Sequence, residues 1–184
     1  SHTLTYYLES VIRRMTSPVR VLDLGCGEGK STDLFASLDK EVVWHGVDIK
    51  DSPEAKKRSK DIDSILTFDG VNLPYDANYF DLIYTNQVLE HVRFPDALMA
   101  DVFRVVKCGG ILIGSVSYLE PYHSYSIFNF TPYGIRQVIS GSGFEMIEIR
   151  PESDALKLML RQLLNRSRML KPIWNHNYLY MLME

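Results

Sequence analysis

Apolar and polar positions along the 184 residues switch between two periods, and the switches outline the elements. Residues 4–15 place apolar side chains at helical spacing, and Ser17-Pro18 ends that segment. Val19–Leu24 is a nearly continuous apolar run, as a strand covered on both faces requires, and 31–38 returns to helical spacing. The pattern repeats with a strand over Val42–Ile49, a charged short helix over 53–60 and a short strand over Ile65–Phe68. A turn-rich piece around Pro74 and Asn78 precedes a strand over 80–85 and a helix over 94–106, opened by Pro95-Asp96. Gly109-Gly110 reads as the break before a strand over 111–116. Beyond it the spacing predicts a helix over 131–140 closed by Gly141 and Gly143, a strand over 144–149, a long helix over 154–170 and a last strand over 179–183. Strands alternating with helices mean βαβ units and a parallel sheet. Right-handed crossovers then gather the functional loops at the carboxyl ends of the strands.

Composition narrows the class without naming it. The length suits one domain over 1–184, with an N-terminal helix or lid over 1–18 and a helical insertion over 151–178 before the last strand. A 46% hydrophobic and 23% charged chain is an ordinary globular one. The net charge of −3 gives no electrostatic reason to expect a nucleic-acid partner. Cys26 and Cys108 are far apart and lack metal-ligand spacing, so neither a disulfide framework nor a metal site is expected, and a reducing cytoplasmic setting fits. No apolar run approaches the roughly 18 residues that span a membrane. Ser1-His2, without a methionine, gives no N-terminus from which to read a targeting signal. No internal repeat or low-complexity tract interrupts the pattern.

The densest chemical signal is Asp23-Leu24-Gly25-Cys26-Gly27-Glu28-Gly29-Lys30-Ser31, a strand end that turns through alternating glycines into a helix start. Glycine admits tight dihedrals and lets backbone N–H groups approach a ligand closely. Three ligand classes compete for such a turn. A phosphate cradle needs GxxxxGK[ST], and its first glycine would fall on Leu24. A dinucleotide fingerprint needs GxGxxG, whereas the spacing is GxGxG and Asp23 stands before it, where it would repel a pyrophosphate. An acid in the turn suits a ligand that carries an amine.

This stretch resembles the first motif of class I S-adenosylmethionine-dependent methyltransferases, of the small-molecule type. Gly46-Val47-Asp48-Ile49 is similar to that family's second strand, and Phe68-Asp69-Gly70 through Leu73-Pro74-Tyr75 to the loop after its third. Tyr79 through Val92, with Asn86, Gln87, Glu90 and His91, resembles the fourth strand and its loop. Val105-Val106-Lys107-Cys108-Gly109-Gly110-Ile111-Leu112-Ile113 is similar to a helix-turn-strand element in which Cys108 stands where proline is usual. The resemblance implies a Rossmann-like α/β fold with a seven-stranded, mostly parallel sheet, helices on both faces and an antiparallel C-terminal hairpin made by 144–149 and 179–183. It implies S-adenosyl-L-methionine as cofactor. Asp23 would meet the ammonium, Asp48 the ribose diol and Asp69 the adenine amine, while Gly25, Cys26, Gly27, Ile49, Gly70, Asn86 and Gln87 complete the cofactor set. Cys26 serves there through its backbone, as a small packing residue.

The stretch 117–132, rich in tyrosine and phenylalanine, follows the fifth strand and is expected over the transferred methyl. Aromatic rings with polar tips can wall a pocket and still hydrogen-bond an acceptor. His123 is the leading general base and His91 the second catalytic candidate; Tyr7, Tyr118, Tyr122 and Tyr125 are the substrate-binding candidates. For His123 the competing ordinary role is a packing or capping histidine, and for His91 the ordering of its own loop. The helix over 154–170 either packs on the sheet, roofs the acceptor or makes a homodimer contact. The expected activity is methyl transfer to oxygen or nitrogen of a small-molecule or sugar-like metabolite by in-line displacement. A tRNA or protein methyltransferase, and a catalytically silent cofactor-binding partner subunit, are the alternatives.

Overall fold

The computed structural model describes residues 4–38, 41–58, 63–118 and 125–151, together with Met159 and Leu163. The chain divides into two compact units, 2–148 and a C-terminal unit from Ile149 onward. In the second, Met159 and Leu163 are helical and exposed; the rest of the expected 154–170 helix and the expected strand over 179–183 lie outside the described residues.

The first unit runs α1 (Leu4–Ile12), β1 (Val19–Leu24), α2 (Ser31–Ala36), β2 (Val42–Ile49), β3 (Ile65–Phe68), β4 (Phe80–Asn86), α3 (Pro95–Val105), β5 (Val106–Ser115) and α4 (Pro132–Gly141). The five strands form one sheet of order β3-β2-β1-β4-β5, and every pairing is parallel. Strand residues alternate between faces, so β1 serves two cores. Leu22 and Leu24, with Val47 and Ile83, pack towards Leu98, Met99 and Val102 of α3 and Ile135 and Ile139 of α4. Val19 and Val21, with Leu82, Tyr84 and Ile113, pack towards Leu8 and Ile12 of α1 and Phe35 of α2. That double covering is why β1 and β4 read as apolar runs rather than alternating ones.

Strand order reverses direction at β1, with β2 on one side and β4 on the other. Ligands of open parallel sheets bind outside the carboxyl ends of the strands at such a switch point. The opposite edge is tied down: Arg104 of α3 forks onto Asp101 at 2.6 and 3.0 Å and reaches the carbonyls of Leu73 and Tyr75, while the Leu73 N–H donates to Asp101.

Four expectations change. Residues 144–149 form no strand: Phe144 and Met146 are half-buried against the core and Glu145 and Ile147 are exposed, but the segment pairs with no strand among the described residues. Period-2 burial is therefore present without a ladder, and the described sheet has five strands. Gly109-Gly110 does not break the chain before 111; α3 passes directly into β5 at Val106, and the glycines sit inside the strand at a register shift against β4. A Cβ on Gly110 would lie 3.1 Å from the Asp81 carbonyl, so glycine permits the irregular pairing. The charged stretch 53–60 contributes one 3-10 turn, Ala55–Lys57, rather than a helix. Gly141 is the last residue of α4 rather than its stop.

Candidate active site at the carboxyl edge of the sheet

β1 ends in Leu24, and the chain then takes positive φ at Gly25 (+70°), Gly27 (+53°) and Gly29 (+81°). A side chain at Gly25 would put its Cβ 2.5 Å from Val88, so the turn both needs the left-handed region and lacks room for any other residue. The loop is stitched to β2. The N–H groups of Gly25 and Cys26 both donate to the Val47 carbonyl, at 2.8 and 3.0 Å. The Gly27 N–H donates to Asp48 Oδ2 at 2.8 Å. From the other side, Arg58 donates to the Gly27 carbonyl at 2.6 and 3.2 Å.

Asp48 is buried at the end of β2. Its Oδ1 accepts from Ile49 N–H, and its Oδ2 accepts from Gly27 N–H and the Ser52 hydroxyl. A carboxylate has about four acceptor directions. Among the described residues three are used, which leaves one at Oδ1, and a diol that engages both oxygens displaces a resident donor. Burial raises the Asp48 pKa; the hydrogen bonds and the facing Arg58 guanidinium oppose that rise.

Asp23 is 4% exposed. Ser31 donates its hydroxyl to Asp23 Oδ2 in a short hydrogen bond, and Trp44 Nε1 donates to Ser31 Oγ at 3.1 Å. Burial, with a smaller contribution from the neighbouring Asp48 charge, pushes the Asp23 carboxyl up to about 7, against the lowering effect of Ser31. No ion pair reaches Asp23 or Asp48 among the described residues. Two buried acids without a bonded cation make a site that favours a cationic ligand. The Cys26 thiol beside them is pushed up to about 12, first by burial and then by both carboxylates, so it is no nucleophile.

Residues 22–114 match the family model described as a methyltransferase domain. The chain belongs to the class I S-adenosylmethionine-dependent methyltransferases. It is 31% identical over 160 residues to the ubiquinone/menaquinone biosynthesis C-methyltransferase UbiE of Burkholderia vietnamiensis, a match that covers 78% of this chain. The chain spans 65% of that relative's length, just under two thirds. Two solved structures share the fold. One is an S-adenosylmethionine-dependent methyltransferase from Mesorhizobium loti, with TM-score 0.60, 18% identity and coverage of 89% of this chain and 92% of that one. The other is phosphoethanolamine N-methyltransferase 2 of Haemonchus contortus in complex with S-adenosyl-L-methionine, with TM-score 0.63, 16% identity and coverage of 95% and 44%.

The remaining residues expected on the cofactor side line the same edge. Asp69, after β3, is exposed and turned on its own loop: Oδ1 accepts from the N–H groups of Val71 and Asn72, and Oδ2 from the Asn72 amide. Those bonds lower its pKa and leave one acceptor direction at Oδ2. Gly70 (φ +92°) lies against Ile49, whose side chain is exposed at the end of β2. Past β4, Ser115 donates to Asn86 Oδ1 at 2.6 Å and receives the Gln87 amide at 3.2 Å. Gln87 holds φ at +58°, a left-handed conformation that costs a non-glycine residue about 1 kcal/mol or more.

The edge beyond β4 is organised by Glu90, which is fully buried. Its carbonyl accepts from Ile127 and Phe128 N–H, and its Oε1 accepts from Ser117 N–H at 3.2 Å. One residue thereby joins the loop after β4, the exit of β5 and the segment before α4. His91 is next to it, half-buried in the same 3-10 turn. Tyr118, Tyr125, Ile127 and Phe128 are exposed, whereas His123 and Tyr122 lie outside the described residues. Tyr7, on α1, donates its hydroxyl to Glu148 at 3.1 Å.

Ser31, Trp44, Ser52, Arg58, Glu90 and Ser115 were not site candidates on sequence. Two signals were there to read: Ser31 continues the glycine motif, and Glu90 precedes the candidate His91. Trp44 and Arg58 act over 13 and 31 positions, and spacing carries no trace of them. Among the described residues no group of His, Cys, Asp and Glu could hold a metal ion, and no helix is long and apolar enough to cross a membrane.

Proposed function

We propose that the chain binds S-adenosyl-L-methionine across the carboxyl ends of β1, β2 and β3 and transfers its methyl group to a small molecule docked beyond β4 and β5. The observation that carries this reading is the pair of buried acids, Asp23 and Asp48, flanking a positive-φ glycine turn with no ion pair of their own among the described residues. The donor set suits the cofactor: Asp23 an ammonium, the open direction of Asp48 a ribose hydroxyl, and the open direction of Asp69 an adenine amine. Ile49 and Gly70 offer an apolar wall and close approach beside Asp69. Bound there, S-adenosylmethionine supplies a methyl group already activated by its sulfonium. What remains for the protein is alignment and exclusion of water. Gln87 and Asn86, fixed through Ser115, border the junction between donor and acceptor. His91, half-buried in the turn after β4, and His123 are the candidates to take an acceptor proton.

The acceptor is a small, largely apolar ring compound methylated on carbon. Exposed Tyr118, Tyr125, Ile127 and Phe128 support an apolar wall, and the relative named for ubiquinone and menaquinone biosynthesis is a C-methyltransferase. Carbon thus replaces oxygen or nitrogen as the preferred target. Calorimetry with S-adenosylmethionine and S-adenosylhomocysteine tests the cofactor: binding of both is expected, and Asp48→Ala should weaken each at least tenfold. No heat from either compound rejects the reading. A panel of quinols with methyl-labelled cofactor tests the acceptor, and label appearing only on amines or hydroxyls would reject the carbon assignment.

A further inference from the structure

Trp44 is a half-buried aromatic residue on β2, paired in register with Val21. Its indole lies along its own strand because Gly46, two residues on, has no side chain. A Cβ there would lie 2.5 Å from Trp44 Cη2 and 2.7 Å from Cys26 Sγ. In that position Nε1–H reaches Ser31 Oγ at 3.1 Å, and Ser31 in turn donates to Asp23 Oδ2. A serine hydroxyl has a single proton. With one of its lone pairs engaged by the indole, that proton is directed at Asp23 and cannot rotate to another acceptor without losing the bond to Asp23.

We propose that Trp44 is a positioning residue for the ammonium end of the cofactor, acting through Ser31 to fix the orientation of the Asp23 carboxylate. The proposal rests on the cofactor reading above and adds a residue that never touches the ligand. Ser31 holds Oδ2, so the carboxylate cannot swing about its own axis, and Oδ1 is presented in one direction. A buried carboxylate held this way loses little freedom when a cation arrives, and preorganisation of that kind appears as affinity. Chained hydrogen bonds also polarise one another, so the indole strengthens the serine's bond to Asp23.

Two probes separate this role from simple packing. S-adenosylhomocysteine carries the ammonium; 5′-methylthioadenosine has the same adenosine thioether and no amino-acid end. Trp44→Phe keeps an aromatic ring and removes the N–H. It is expected to weaken S-adenosylhomocysteine roughly three- to tenfold, the range one hydrogen bond is worth, and to leave 5′-methylthioadenosine within about twofold. Ser31→Ala should show the same selectivity with a larger loss, and adding Trp44→Phe to Ser31→Ala should cost nothing further, because the relay is already cut. Retained 5′-methylthioadenosine binding shows that each variant is folded. Equal losses for the two probes, additive losses in the double variant, or unchanged S-adenosylhomocysteine affinity would overturn the relay. If the unsubstituted protein binds neither probe, the cofactor reading falls and the relay with it.

Discussion

The carboxyl edge of the sheet has two halves built on different principles. At β1 and β2 the groups are buried, charged and stitched by backbone hydrogen bonds: Val47 holds Gly25 and Cys26, and Asp48 holds Gly27. At β4 and β5 the frame is equally bonded, through Glu90 and Ser115, but the side chains it presents, Tyr118, Tyr125, Ile127 and Phe128, are exposed. The first half is suited to recognition by fixed geometry and charge, where almost any substitution strands a buried polar group. The second is suited to recognition by surface, where one side chain can be exchanged for another at little cost to the fold. Such a division suits the proposed reaction, with a constant donor and a variable acceptor.

The sharpest way to break the contrast is at Gly25. Gly25→Val forces a β-branched residue into φ +70° and against Val88 2.5 Å away, and cofactor affinity should fall about a hundredfold or more by calorimetry. Asp23→Asn comes next and separates stability from binding. The folded chain holds a proton on Asp23 up to about pH 7, whereas the ordinary value is 3.8. Its contribution to stability is therefore complete below about pH 4 and is lost as pH rises through 7. The asparagine variant escapes that loss. At pH 8 the ligand-free variant should be more stable by something on the order of 1–3 kcal/mol, a gain that shrinks at pH 5 in thermal melts. Its affinity for S-adenosylmethionine should drop at least tenfold. For the unsubstituted protein the same linkage makes cofactor affinity rise with pH and level off above 7; a flat profile from pH 5 to 8 would contradict it.

Glu90→Ala attacks the other half. Loss of the carboxylate leaves the Ser117 N–H without its acceptor and should cost about 1–3 kcal/mol of stability, while S-adenosylhomocysteine affinity stays within about threefold. A collapse of cofactor binding in that variant would dissolve the division between halves. Arg58→Ala returns to the donor half with a smaller effect. Losing the guanidinium frees the Gly27 carbonyl and removes the positive charge facing Asp48, so affinity should fall roughly threefold and its acid limb should move to higher pH. Tyr125→Ala, on an exposed ring, should leave both stability and cofactor affinity unchanged and alter only acceptor turnover.

The strand covered on both faces was legible residue by residue. Val19–Leu24 falls where the apolar run puts it, because burial leaves little freedom in its composition; Val42–Ile49 and Ile65–Phe68 also fall where expected, although only Gly46, Val47 and Asp48 of β2 are buried and no residue of β3 is. The glycine turn was legible for a related reason, since positive φ restricts residue choice. Gly109-Gly110 misled because glycine marks a break and an irregular strand alike; the decision lies in the Asp81 carbonyl across the ladder, which no local pattern contains. Residues 144–149 alternate as a strand does, yet a strand is made by its neighbour. In the site, Asp23 and Asp48 announced themselves by standing at strand ends, whereas the groups that orient them, Ser31, Trp44 and Arg58, come from elsewhere in the chain.

The hydrogen bond from Trp44 has an optical consequence. Indole emission shifts with the polarity and bonding of its N–H, and Trp44 is one of two tryptophans in the sequence, the other being Trp174. A ligand that draws the Asp23 carboxylate onto its own cation pulls the Ser31 hydroxyl with it and changes the field at the ring. Occupancy of the donor half should thus be readable as a change in intrinsic fluorescence, without label or acceptor, and Trp44→Phe should silence it.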